Sequence, residues 1–288
     1  MNYGNLNPLR YDVLSIQSQV IYGTVGNNAA RPWLQAYCFN VMEIPTVLLS
    51  NTPHYPTMHG GIVPADWFAA FLRGLEERNA LADLRAIMLG YLGDSGQADL
   101  LIPFLQQQKA RNPGLQISID PVLGDRDSGL YVKEELADSY KHGLIDCADL
   151  ITPNLFELAY LSDMPVNNQL EILAAGQQLL ATHKNLESVI VTSVPVEDAN
   201  QLGNMLIERD GHSLTRHPRI DCAVKGTGDS FHAILVGEML HNDDEIDDYL
   251  KWAMKWAGNL VADALEKTAA GNFGELQVQQ TIRERQFY

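Results

Sequence analysis

Short apolar runs alternate along the chain with longer stretches whose apolar positions recur at helical spacing. The pattern predicts a first strand over 13–17 that ends at Ser18, then a helix over 28–37 entered through Gly23 and Gly26. A second strand covers 41–49, where Pro45 demands an edge or a bulge. The Pro-, Gly- and His-rich stretch 51–61 reads as a loop or short flap. Helices follow at 65–79, 95–110, 132–142 and 169–182, with strands at 86–89, 116–119, 150–152 and 189–192. Segments 204–209 and 213–216 read as a hairpin turning on Asp210-Gly211, and the remainder as helices over 229–241, 246–267 and 275–285. Such alternation predicts an α/β fold, a mainly parallel central sheet with helices on both faces. No linker, low-complexity segment or internal repeat interrupts it, so the expectation is a polar arm over 1–10 and a single domain over 11–288.

Composition narrows the partners. The 288 residues are 46% hydrophobic and 19% charged, enough for a sizeable core. A net charge of −16 excludes nucleic acid and anionic membrane, which need basic patches. It leaves room for a nucleoside triphosphate, whose charge backbone amides and Mg²⁺ can offset locally. Cys38, Cys147 and Cys222 are far apart, without CxxC or His at metal spacing, and read as buried reduced thiols. The first residues lack a basic stretch followed by an apolar one, and no run is long enough to span a membrane. A soluble, cytoplasmic protein is expected.

In an open α/β sheet, ligands bind beyond the carboxyl ends of the strands, so the polar residues there carry the chemistry. The foremost stretch is Lys225-Gly226-Thr227-Gly228-Asp229, which opens the apolar helix beginning at Ser230-Phe231. A glycine turn entering a helix aims backbone N–H groups and the positive dipole end at one spot, as a phosphate requires. Asp229 at the junction reads either as an N-cap or as a base that takes a proton from a hydroxyl at that spot. Asp120-Pro121-Val122-Leu123-Gly124-Asp125 places two carboxylates around a turn, an Asx turn or a seat for hydrated Mg²⁺. Thr152-Pro153-Asn154-Leu155-Phe156-Glu157 reads as a capping box, which does not exclude a further role.

These segments, in this order, resemble the pyridoxal (vitamin B6) kinases of the ribokinase-like superfamily. The resemblance adds Ser15 to Gly23 with Val25-Gly26-Asn27-Asn28-Ala29-Ala30, similar to the family's opening S-x-V-x-x-G-x-x-G-N-x-A-A. It adds Gly90-Tyr91-Leu92-Gly93 and the Thr192-Ser193 strand end, and it runs from about residue 12 to 285. It implies a ribokinase-like three-layer sandwich and transfer of a phosphoryl group from MgATP to the 5′-hydroxyl of pyridoxal, pyridoxine or pyridoxamine. Asp229 would be the base and Gly226, Thr227 and Gly228 the anion hole. Ser18, Thr52, His54 and Tyr91 would line the vitamer site; Asp120, Asn154, Glu157, Thr192, Ser193 and Thr227 would line the ATP site. Asp120 and Glu157, the latter through water, would organise Mg²⁺. A monovalent cation such as K⁺ and a homodimer are family expectations. One departure stands out: where the family carries a substrate-contacting Thr after Ser-Asn-His, this chain has Pro53, with neither hydroxyl nor N–H, and Thr52 or His54 would substitute.

Other readings differ in what they need. A hydroxymethylpyrimidine kinase of the same superfamily would often carry Cys at the position of Asp229, a sugar kinase an N-terminal Gly-Gly-Asn, and a silent vitamin B6 binding protein a broken anion hole. No GxxxxGK[ST] occurs, and no GxGxxG follows the first strand. The acidic run 243–248 reads as a favourable first helical turn, His232 as a satisfied helix histidine, and Trp252 with Trp256 as packing.

Overall fold

Period-two alternation on the central strands sends apolar side chains to both faces of one sheet. Leu14, Ile16, Ile87, Leu89, Ile117, Ile119, Val189 and Val191 enter one core. Val13, Ala86, Met88, Leu150 and Ile190 enter the other. A sheet apolar on both sides must be covered twice, which gives three layers. Each fully buried aliphatic side chain contributes about 1.5–3 kcal/mol. The computed structural model describes residues 9–242 and 248–285. Most of the predicted polar arm and residues 243–247 of the acidic run lie outside them.

The nine-stranded sheet has the order β11-β10-β9-β8-β5-β4-β1-β2-β3. β1 (Val13–Tyr22), β2 (Val41–Asn51), β4 (Ala86–Leu89), β5 (Gln116–Ile119), β8 (Leu150–Ile151) and β9 (Ser188–Pro195) are mutually parallel. β3 (Gly60–Ile62) closes one edge antiparallel, and the hairpin β10 (Gln201–Glu208)–β11 (Gly211–Pro218) closes the other. One core takes its helical residues from α2 (Ala65–Glu77), α3 (Ser95–Arg111), α4 (Glu134–Ser139), α5 (Leu155–Ser162) and α6 (Gln169–Thr182). The other takes them from α1 (Asn27–Ala36), α7 (Thr227–His241), α8 (Tyr249–Ala270) and α9 (Val278–Glu284).

Several expectations need correction. β1 continues past Ser18 because β2 runs on beside it as far as the Tyr22–Asn51 pair. The ladder shifts register between Gln17 and Gln19, beginning at the Gln17–Pro45 pair, which is the bulge that Pro45 demanded. The stretch expected as a loop contains β3. The hairpin turns on Arg209-Asp210, since Glu208 pairs with Gly211. The helix expected over 132–142 is α4 followed by a π turn, Tyr140–Leu144, and a 3₁₀ turn, Ile145–Cys147. A small hairpin, β6 (Gly124–Asp125) with β7 (Gly129–Leu130), was not foreseen. Only Cys147 is a buried thiol; Cys38 is exposed and Cys222 partly so. Trp252 stacks on Trp256 with ring centroids 5.9 Å apart, yet remains half exposed.

Candidate active site

Parallel strands deliver their carboxyl ends to one rim, and α7 begins there. Gly226 caps α7 with φ 92, and a Cβ on it would lie 1.9 Å from the Thr24 carbonyl oxygen. Glycine is therefore required twice over at this position, by conformation and by space. The Gly226 carbonyl accepts from Ser230 N at 3.0 Å, so the first amides of α7 have no intrahelical partner and face outward. Asp229 stands in that first turn. Burial pushes its carboxyl up, and the Gly26 amide partly offsets this.

Asp120, just past the end of β5, stands opposite. A Cβ on Gly228 would come 3.4 Å from Asp120 Oδ2, so the helix start and this carboxylate meet. Burial holds Asp120 well above the usual carboxylate range, the charges of Glu157 and Asp229 add to that, and the Thr152 hydroxyl opposes it. Glu157 completes the capping box of α5: its Oε2 accepts from Asn154 N at 2.8 Å. Its Oε1 accepts from Leu123 N at 3.0 Å. Burial nonetheless pushes it to about 8.

Three carboxyls with raised pKa bind protons in the folded protein that the unfolded chain has already released. Their contribution to stability is therefore complete below the ordinary carboxyl range and is lost as pH rises through the folded values, about 8 for Glu157. The melting temperature of the protein without nucleotide is expected to fall between about pH 5 and pH 8, and Asp120→Asn to raise it more at the higher pH. A pH-independent effect of Asp120→Asn in thermal denaturation would contradict this charge clustering.

Asn154 is held from both ends. Its Oδ1 accepts from Phe156 N (2.8 Å) and Glu157 N (3.0 Å), and its Nδ2 donates to the Gly124 carbonyl at 2.8 Å. That last bond ties α5 to the β6–β7 hairpin. Asp125 serves its own turn: it accepts from Tyr131 Oη and from Asp127 N and Ser128 N, at 3.0 and 2.7 Å. Of the two carboxylates around the proline turn, Asp120 meets the start of α7; Asp125 is the Asx-turn residue and reaches only the Lys225 ammonium ahead of Gly226, at 3.7 Å. Thr192 N donates to the Pro153 carbonyl at 3.0 Å, which sets Thr192 beside Asn154. Ser193 follows, exposed, with φ 59.

The other end of the rim is built on β1. Ser18 is buried, and a Cβ on Gly26 would fall 2.2 Å from its Oγ, so Gly26 lets α1 start against it. Beneath it, Ser15 Oγ donates to Asn27 Oδ1 at 2.8 Å and Gln17 Nε2 donates to Ser15 Oγ at 2.7 Å. Thr52 is fully buried behind Gly23, its hydroxyl without a partner. Pro53 is exposed, and the His54 ring lies tilted against Tyr55 with ring centroids 4.2 Å apart. Tyr91 is half-buried, and burial raises its phenol. Tyr140 donates to the Gly90 carbonyl at 2.5 Å just below.

The structure thus brings Asp120, Glu157, Gly228 and Asp229 into one cluster, with Asn154 and Thr192 beside it and Ser18 across Gly26. Thr52 and His54 lie further out, beyond Gly23. His232 is not in the cluster: buried at 1% exposure, it bonds Ser118 Oγ at 2.6 Å and burial lowers its pKa to about 3. Sequence reasoning passed over Thr24, whose carbonyl backs Gly226, and Glu275, which holds Thr24. Neither lies in a motif that marks it.

Comparisons with known proteins agree along nearly the whole chain. Residues 46–278 match the family model described as phosphomethylpyrimidine kinase. A pyridoxine/pyridoxal/pyridoxamine kinase of Bordetella pertussis is 39% identical over 278 residues, covering 96% of each chain. A pyridoxal kinase of Corynebacterium diphtheriae is 33% identical, covering 93% of each. The pyridoxal kinase of Leishmania donovani, solved with ADP and pyridoxine, superposes with a TM-score of 0.85 at 29% identity, covering 95% of this chain and 94% of that one. With its order of rim segments and a ribokinase-like sheet beneath them, the chain belongs to the pyridoxal kinases of the phosphomethylpyrimidine kinase family.

Proposed function

We propose that the protein is an ATP-dependent kinase that phosphorylates the 5′-hydroxyl of pyridoxal, pyridoxine or pyridoxamine. The observation that carries this reading is Asp229 in the first turn of α7, beside the Gly226–Gly228 amides and opposite Asp120. Asp229 takes the proton of the acceptor hydroxyl as its oxygen attacks the terminal phosphorus of ATP. The Gly226–Gly228 amides hold the charge that develops on the transferring group, and ADP leaves. Thr227, Asn154, Thr192 and Ser193 position the nucleotide; Ser18, Tyr91, Thr52 and His54 position the vitamer.

The acidic cluster fits Mg²⁺ arriving with the nucleotide. Burial, and then the charges of Glu157 and Asp229, raise the pKa of Asp120, a strain that a cation would relieve. Among the described residues no three His, Cys, Asp or Glu side chains form a metal site of their own. Both Glu157 oxygens hold backbone amides, so Asp120 would be the residue next to Mg²⁺ and Glu157 would reach it through water. Mg²⁺ there would neutralise phosphate charge. A K⁺ site near Asp120 or Thr192, a homodimer and a cytoplasmic location belong to the same reading. No helix among the described residues is long and apolar enough to cross a membrane.

The family model's own description keeps a hydroxymethylpyrimidine kinase as the second reading. Steady-state kinetics with both acceptors separates the two. The vitamer reading expects kcat/KM for pyridoxal about tenfold or more above that for hydroxymethylpyrimidine, because a site that hydrogen-bonds its own acceptor discriminates against one that leaves those groups unpaired. The reverse order would move the substrate and keep the fold and the base.

A further inference from the structure

Resting on the kinase reading above, we propose that Glu275 is a positioning residue that latches the acceptor loop, through His54, to the turn that backs the anion hole. Glu275 lies between α8 and α9 on a firm mount. Leu276 and Val278 are each 2% exposed, and Gln277 N donates to the buried Thr268 Oγ1 at 3.0 Å. From there Glu275 Oε2 accepts from Thr24 N at 2.8 Å, across 251 residues of sequence. The Thr24 carbonyl is the atom against which Gly226 packs.

The other carboxylate oxygen makes no hydrogen bond, although the Glu275 charge also acts on the Tyr55 phenol. Glu275 Oε1 is buried without a hydrogen-bond partner, and so is the hydroxyl of Thr52, itself fully buried. Both surround Gly23: a Cβ there would lie 1.8 Å from Thr52 Oγ1 and 3.0 Å from Glu275 Oε1. Unpaired buried oxygens are costly, and two side by side mark a contact left unmade. His54 Nε2 stands 3.9 Å from Glu275 Oε1, about 1 Å beyond a charge-assisted hydrogen bond. An inward shift of loop 52–59 over a bound vitamer lets His54 donate to Oε1. The chain His54–Glu275–Thr24–Gly226 then joins the acceptor end to the phosphate end.

Glu275→Ala is expected to raise KM for pyridoxal by about 10–100-fold, with KM for ATP within about twofold of wild type. Glu275→Gln, which keeps an oxygen for the Thr24 amide, isolates the His54 arm and serves if the alanine variant does not fold. Because both residues act in one contact, the loss from H54A/E275A is expected to be smaller than the sum of the two single losses. Amide hydrogen exchange of residues 52–59 is expected to slow when pyridoxal binds the wild-type protein, and to slow markedly less in both Glu275 variants. Additive kinetic losses, equal loss in both KM values, or loop exchange unchanged from wild type would overturn the latch. A wild-type protein that phosphorylates no vitamer would instead refute the kinase reading, and the exchange comparison would still decide the latch.

Discussion

Replacing Asp229 with Asn is expected to lower kcat by about 10²–10⁴-fold while leaving ATP affinity within about threefold. The substitution keeps the size of the side chain and its place in the first turn of α7. What it removes is the ability to take a proton, which matters only once the acceptor hydroxyl attacks. An interaction used in the transition state lowers kcat and kcat/KM together. In the proposed reading nucleotide binding rests on other groups, chiefly Asn154, Thr192 and the α7 amides, and is expected to persist. Titration of MgATP by calorimetry beside product-based kinetics measures both quantities on one preparation. Near wild-type turnover by Asp229→Asn would remove Asp229 from the chemistry.

Gly226→Ala is the second large effect. Alanine is strained at φ 92, and its Cβ would sit 1.9 Å from a backbone oxygen, the Thr24 carbonyl. A flexible side chain could swing away, but a carbonyl in a turn pinned by Glu275 cannot. Either the α7 turn or the Gly23–Thr24 turn must move, and the donors then miss the transferring group. Loss of one such donor costs about 10²–10³-fold in kcat. The internal control is Gly228→Ala. A Cβ there meets only Asp120 Oδ2, at 3.4 Å, an ordinary contact. The kinetic loss and the fall in melting temperature are both expected to be larger for Gly226→Ala; equal losses would mean that backbone geometry at Gly226 is not what matters.

Much of this arrangement was legible from the residues alone. The strands Ala86–Leu89 and Gln116–Ile119 and the helix Gln169–Thr182 lie where the apolar period put them, because buried central strands and amphipathic helices write their burial into the sequence. What was not legible depends on neighbours. β1 runs on to Tyr22 because β2 accompanies it, and β3 is a strand because Val47–Leu49 offer it an edge. The two aspartates around Pro121 look alike in sequence; only the hairpin that folds back on Asp125 separates their roles. That Asp120, Asn154, Glu157 and Asp229 would come together was foreseeable, because glycine turns and capping boxes fix where strand ends meet helix starts. Glu275 was invisible, since its significance lies in a contact with Thr24 that no local pattern encodes.

The most direct test follows pyridoxal with MgATP by ³¹P NMR and absorbance in a single reaction. Pyridoxal 5′-phosphate and ADP are expected to appear one for one, with both signals lost in Asp229→Asn. ATP hydrolysis without vitamer phosphate, or tight pyridoxal binding with no turnover, would contradict it.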